Sequence, residues 1–281
     1  THRLCNIMLQ DSAHIQEQEA EWQNRKAERS GYQQYVPVYT VADALESLKL
    51  FEGHGYNKPI EIFEGITINF CDAGHLLGSS SIHITVNENG EERTILFSGD
   101  LGNIDRPLIR NPQNPPYADY VVIESTYGDR VHGERPDYIA QLTKIMQETF
   151  SKGGNLVIPS FAIGRTQELL YLFRIIKEQG LIKGHENFLV YVDSPLAVEA
   201  TKIYQDNLMG YYDEETIALV KQGINPISFP GLRLSVTTEE SRAINFDLIP
   251  KVIISASGMC EAGRIRHHLK HNLWRENSTI L

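Results

Sequence analysis

After Gly133 the chain repeats one pattern three times: a short run that is almost wholly apolar, then a stretch of helical character. Asn155–Pro159 leads into 165–177, Phe188–Val192 into 196–208, and Lys251–Ser255 into 261–273. A strand that is apolar on both faces must be covered on both faces. The pattern therefore predicts an α/β fold, a parallel sheet with helices packed on either side. With 41% hydrophobic and 22% charged residues among 281, there is enough apolar material for a buried core, which excludes disorder as the dominant state.

The first part reads differently. Residues 11–30 predict a polar helix with Asp11 or Ser12 as N-cap and Gly31 as its stop. A second helix is predicted over 40–51, capped by Thr40 with Asp43 three residues on. Alternating segments follow at 60–63, 66–70 and 81–86, then an Asn89-Gly90 hairpin turn, a strand over 93–97, a Pro/Asn loop over 111–117 and a buried strand over 120–123. This change of style predicts two domains, 1–130 and 131–281. Their charges differ too: 10 Lys/Arg stand against 19 Asp/Glu in the first and 16 against 17 in the second. Neither is basic, so generic electrostatic capture of nucleic acid is not indicated. Cys5, Cys71 and Cys260 are too few and too scattered for a disulfide framework or a cysteine zinc site, and a reducing, cytoplasmic setting is the default. No apolar run approaches the ~18 residues that span a bilayer, so no membrane association is expected. The chain opens on Thr1 and stops on Ser278-Thr279-Ile280-Leu281, a run of the kind that opens a strand, and the expectation is a piece of a longer protein.

Chemistry-bearing residues cluster where predicted strands end, as ligand sites do in such folds. In Asp72-Ala73-Gly74-His75-Leu76-Leu77-Gly78-Ser79, a histidine among glycines can approach a metal or substrate. In Phe97-Ser98-Gly99-Asp100-Leu101-Gly102-Asn103, Asp100 leaves a strand beside two glycines. Glu124 directly follows Val121-Val122-Ile123, where a charge is costly without a partner. Singly, His75 also reads as a structural imidazole and Asp100 as a turn residue.

Together, in this order and spacing, the three segments resemble the metallo-β-lactamase fold, specifically its β-CASP branch of RNA- and DNA-processing hydrolases. Pro159 to Leu170, Val192 to Ala197, and Ser255-Ala256-Ser257-Gly258-Met259-Cys260 are similar to signatures of the β-CASP cap domain. Leu9 to His14 resembles the segment that follows the family's first metal motif. The resemblance covers nearly the whole chain. It implies a partial metallo-β-lactamase αββα sandwich over 1–130 joined to a Rossmann-like parallel β-CASP domain over 131–281. It also implies that His75 is a ligand to one of two zinc ions (Zn2+), that Asp100 bridges both, and that Glu124 orients a later histidine acting as general acid. Two such ions suit phosphodiester hydrolysis, one generating hydroxide and both neutralising phosphate oxygens. The family's His-x-His-x-Asp-His string is absent and would lie upstream of Thr1, and its later histidine motifs would lie beyond Leu281.

Nucleic-acid contacts are expected at Ser160, Arg165, Ser257, Gly258 and Arg264. The Ser257–Gly258 backbone could hold a phosphate at a helix N-terminus, and the two arginines could pair with an RNA backbone. His267, His268 and His271 read as a solvated helix face. The implied function is a cytoplasmic zinc-dependent ribonuclease acting on single-stranded RNA, of which this chain is an incomplete and inactive piece. The competing class is a non-catalytic member that binds RNA or a partner through a degenerate metal site. Hydrolysis of a lactam or thioester is disfavoured by the long α/β segment after Glu124. RNA versus DNA, cleavage mode and homo-oligomerisation stay open.

Overall fold

Nothing between Thr1 and Asp11 interrupts a helix, and the first helix starts correspondingly early. In the computed structural model, which describes residues 1–27, 34–131, 133, 136–206 and 209–281, α1 spans His2–Ala27. Asp11 and Ser12 therefore lie inside the helix rather than capping it, and burial pushes the Asp11 carboxyl up. The expected stop at Gly31 lies outside the described residues. α2 (Val41–Leu48) carries the capping box foreseen for it, with the Asp43 N–H donating to Thr40 Oγ1 and the Thr40 N–H to Asp43 Oδ2. Together α1 and α2 form one compact unit, Thr1–His54, in which Leu4, Ala13, Ala20, Ala44 and Leu48 are buried.

The second unit, Gly55–Leu281, holds two sheets. In the first, β1 (Ile60–Phe63), β2 (Ile66–Asp72), β3 (Ser80–Glu88) and β4 (Glu91–Phe97) form an antiparallel meander, turning through Asn89-Gly90 as expected. β5 (Tyr120–Val122) joins β4 in parallel and closes the order β1-β2-β3-β4-β5. It had been expected to be buried, but Tyr120, Val121, Val122 and Ile123 are each more than half exposed, because β5 is the edge strand of its sheet.

Next come α3 (Tyr138–Ser151), β6 (Leu156–Pro159), α4 (Arg165–Glu178), β7 (Leu189–Asp193), α5 (Pro195–Asp206), α6 (Glu214–Lys221), β8 (Leu232–Ser235), α7 (Thr238–Phe246), β9 (Lys251–Ser255), α8 (Ile265–Asn272) and β10 (Thr279–Ile280). The five strands pair in parallel throughout, in the order β10-β6-β9-β7-β8. The expected end of the fifth helix at Leu208 lies outside the described residues. α8 begins at Ile265 rather than at Glu261, since Cys260 (φ 61°) and Gly263 (φ 78°) hold left-handed conformations that a helix cannot include. The path runs from β6 through β7 to β8, then turns back through β9 to β10. Right-handed crossovers then place α4 and α5 on one face and α7 and α8 on the other. Every residue of β9 is buried, and its Ile253 packs with Val157, Ile244 and Ile265. Among the described residues no helix is long and apolar enough to cross a membrane.

Candidate functional site

Three loops meet at one end of the first sheet. The Gly102 N–H donates to the Ala73 carbonyl at 2.8 Å, and a Cβ on Gly102 would lie 1.8 Å from the Gly74 carbonyl oxygen and 2.7 Å from the His75 nitrogen. Only a residue without a side chain allows the Asp100 and His75 loops to run this close. The Glu124 loop is tied in from the other side. Its N–H donates to Ser98 Oγ at 3.0 Å, and its carboxylate accepts from the Leu101 N–H at 2.5 Å and from Thr126 Oγ1 at 2.7 Å. The Thr126 hydroxyl and the Leu101 N–H hold the Glu124 carboxyl below the usual carboxylate range, and the His75 imidazole adds to the effect. Asp100 is exposed, and its carboxylate takes no hydrogen bond among the described residues.

The same loops reach the second sheet through ionic contacts. Arg106 donates from Nη1 to the His75 carbonyl at 3.0 Å and from Nε to Glu168 Oε1 at 2.8 Å, with its Nη2 on the same oxygen. The other oxygen of this buried Glu168 takes Arg165 Nη1 at 3.1 Å. Arg165 thus stands three links from His75, exposed and anchored by a carboxylate that keeps its guanidinium near the sheet ends.

The remaining expected contacts at the second sheet are placed otherwise. Ser160 is buried, its Oγ bonded to Thr166 Oγ1 at 3.0 Å and to the Phe161 carbonyl at 3.3 Å. Ser257 and Gly258 sit seven or more residues before α8, not at its N-terminus, and the Ser257 N–H already donates to the Ala262 carbonyl at 3.2 Å. The N–H groups of Ile265, Arg266, His267 and His268 are likewise spent on Ala256, Gly263 and Arg264 carbonyls, so the first turn of α8 offers an anion little. Arg264 is already engaged within the protein. Its Nη1 pairs with Asp193 Oδ1 at 2.7 Å, and its Nη2 donates to the Val236 carbonyl at 2.5 Å.

That pair belongs to a buried network which the sequence reading missed. Asp193 closes β7 with no exposure, and its Oδ2 meets His268 Nε2 at 2.6 Å and Ser241 Oγ at 2.5 Å, while His268 Nδ1 lies 3.0 Å from Asn245 Oδ1. Burial pushes the Asp193 carboxyl up, but the His268, Ser241 and Arg264 bonds together outweigh it and hold the group down at about 2. His268 is therefore not part of a solvated face, whereas its neighbours His267 and His271 are exposed as expected. A signal for Asp193 was present: it ends an apolar strand just as Glu124 does.

The donor set bears directly on zinc. His75 and Asp100 supply one nitrogen and one carboxylate donor, and no group of three or more His, Cys, Asp or Glu side chains fit to hold a metal exists among the described residues. Two zinc ions need several ligands beyond this pair, so these residues do not by themselves fit a dinuclear centre.

A family profile described as the Beta-Casp domain matches residues 166–281. The chain is similar to Ribonuclease TTHA0252 of Thermus thermophilus, 38% identical over 244 residues that cover 84% of this chain and 52% of the relative. It is also similar to an RNase J-like protein of Methanocaldococcus jannaschii, 29% identical over 247 residues, covering 87% and 55%. Transcription termination factor FttA of the same organism is 30% identical over 248 residues, covering 86% and 38%. The chain thus spans about half the length, or less, of these curated relatives.

Proposed function

The chain carries a β-CASP domain and is homologous to metallo-β-lactamase/β-CASP ribonucleases, and from that premise we propose that it forms the RNA-gripping and site-framing part of an RNA-processing protein of this kind. On this reading the β1–β5 sheet is part of an αββα metallo-β-lactamase sandwich over 1–130, residues 131–281 form the β-CASP domain, the setting is cytoplasmic, and the partner is single-stranded RNA. The observation that carries the proposal is the convergence of the His75, Asp100 and Glu124 loops, fastened to Arg106, Glu168 and Arg165 by hydrogen bonds and ion pairs. The frame keeps its shape through its own bonds, with an exposed guanidinium at its edge for a phosphate.

Zinc-dependent RNA cleavage is the second reading. The Asp100 carboxylate, which takes no hydrogen bond among the described residues, and the Glu124 carboxylate clamped by the Leu101 N–H favour it. His75 and Asp100 would be the metal donors of this stretch, and Glu124 would orient a further group. The test pairs zinc content after dialysis with binding and cleavage of a labelled single-stranded RNA. The first reading expects RNA binding that Arg165→Ala weakens, no zinc retained in stoichiometric amount, and no cleavage. Retained zinc with RNA cleavage that Asp100→Ala abolishes would replace it with the second.

A further inference from the structure

Between α7 and α8 runs a groove of about 420 Å³, separate from the convergence of loops at the first sheet. That volume lies within the span of small-ligand sites. Its walls repeat at helical spacing, with Ser241, Arg242 and Phe246 on α7, and Arg264 at the cap of α8 followed by His267 and His271 on it. The two ends of the groove differ in chemistry. Toward the starts of the helices it is cationic and hydroxylic; toward the end of α7 it is aromatic, where Phe246, 76% exposed, lies 6.4 Å from the tilted His271 ring.

Two acids near this groove, Asp193 and Glu240, are engaged elsewhere. Asp193 lies behind it and is consumed by Arg264, His268 and Ser241. The Glu240 carboxylate accepts from the Val236 and Thr237 N–H groups at 2.8 Å. Arg242 is exposed and pairs with no carboxylate among the described residues, and His267 is exposed beside it in the groove lining. An uncompensated guanidinium with an exposed aromatic ring about one helical turn away matches what holds one nucleotide of a single strand: a cation for the phosphate and a ring face for the base.

We propose that the α7–α8 groove is a second, non-catalytic RNA site that seats one nucleotide of a single strand, with Arg242 and His267 on the phosphate and Phe246 stacking the base. The inference rests on the reading of this chain as part of an RNA-processing protein. In a chain of net charge −10, such a site would hold RNA through one local uncompensated cation and a stacking surface rather than through net charge.

The test is fluorescence anisotropy of a labelled single-stranded oligouridylate with the full chain at several salt concentrations. Arg242→Ala removes a phosphate contact, so affinity falls and the slope of log K against log salt drops by about 0.7. Phe246→Ala removes a stacking surface, so affinity falls roughly tenfold with the slope unchanged. Both side chains are exposed, and a thermal melt matching the parent shows that each variant is folded. If the parent binds RNA but both folded variants bind like it, this inference fails alone. If the parent binds no RNA, the RNA-gripping reading fails together with it. If poly-glutamate displaces the RNA as well as unlabelled oligouridylate does, the groove is a site for acidic polypeptides and the inference is overturned.

Discussion

Replacing Arg264 with alanine isolates the worth of the buried network around Asp193. The change removes a 2.7 Å contact to Asp193 Oδ1 and a 2.5 Å hydrogen bond to the Val236 carbonyl. Asp193 then stays buried with His268 and Ser241 as its remaining partners. Breaking a buried ion pair from one side costs about 3–5 kcal/mol. Because the Arg264 side chain is 20% exposed and Asp193 keeps two partners, the cost falls to or just below the bottom of that range, about 2–3 kcal/mol. Urea unfolding followed by circular dichroism should show the midpoint falling with an unchanged slope, and Arg264→Lys should restore only part of the loss. Acid supplies a second view of the same network. The Asp193 carboxyl is depressed from 3.8 to about 2, so its contribution is present above about pH 4 and is lost as the pH falls toward 2. At about 1.4 kcal/mol per unit, this too amounts to roughly 2–3 kcal/mol, and Asp193→Asn should flatten that limb of the pH profile. A loss below about 1 kcal/mol for Arg264→Ala, the size seen for exposed pairs, would refute the reasoning and return Arg264 to the solvent-facing role first expected of it.

Two more substitutions probe other points. Gly102→Ala would bring a Cβ to 1.8 Å from the Gly74 carbonyl oxygen, a backbone atom with no freedom to yield. A thermal melt should show destabilisation of about 3 kcal/mol or more, and a variant as stable as the parent would mean that the His75 and Asp100 loops do not meet as described. Lys251 is fully buried with its ammonium on the Asp247 carbonyl at 2.5 Å and on Asp247 Oδ2 at 3.0 Å, and burial lowers its pKa. Since Asp247 is partly solvated and keeps the Ile249 N–H, Lys251→Met should leave urea stability within about 1 kcal/mol of the parent; a loss of 3 kcal/mol would show that the charge itself holds α7 to β9.

The features legible in the sequence were those with local causes. Alternation marked β1 to β4, the Thr40 cap marked α2, and continuous apolar runs marked β6, β7 and β9 as strands covered on both faces. The three loop motifs at the first sheet could be grouped because each follows a strand directly. What stayed hidden depends on partners distant in the chain. Whether Arg264 meets a phosphate or a carboxylate is decided by Asp193, 71 residues away. The burial of His268 follows from its place on the stripe of Ile265, His268 and Asn272, a stripe that reads as solvated because two of its three members are polar. β8 is only four residues long and two of them are exposed, so neither alternation nor an apolar run announces it.

The strand order of the parallel sheet also sets a timetable. β6 lies between β10 and β9, and its first neighbour, β9, follows it by roughly a hundred residues. A ribosome adding about 5–20 residues per second needs on the order of 5–20 s to cover that distance. For that interval Leu156, Val157 and Ile158, all buried in the finished sheet, have no strand to lie against on either side. β7 waits less for its partner β8, about forty residues on, so β7 and β8 can pair first. The most apolar strand of the nascent chain is among the last to be enclosed, and that is when the newborn protein is most dependent on whatever shields it.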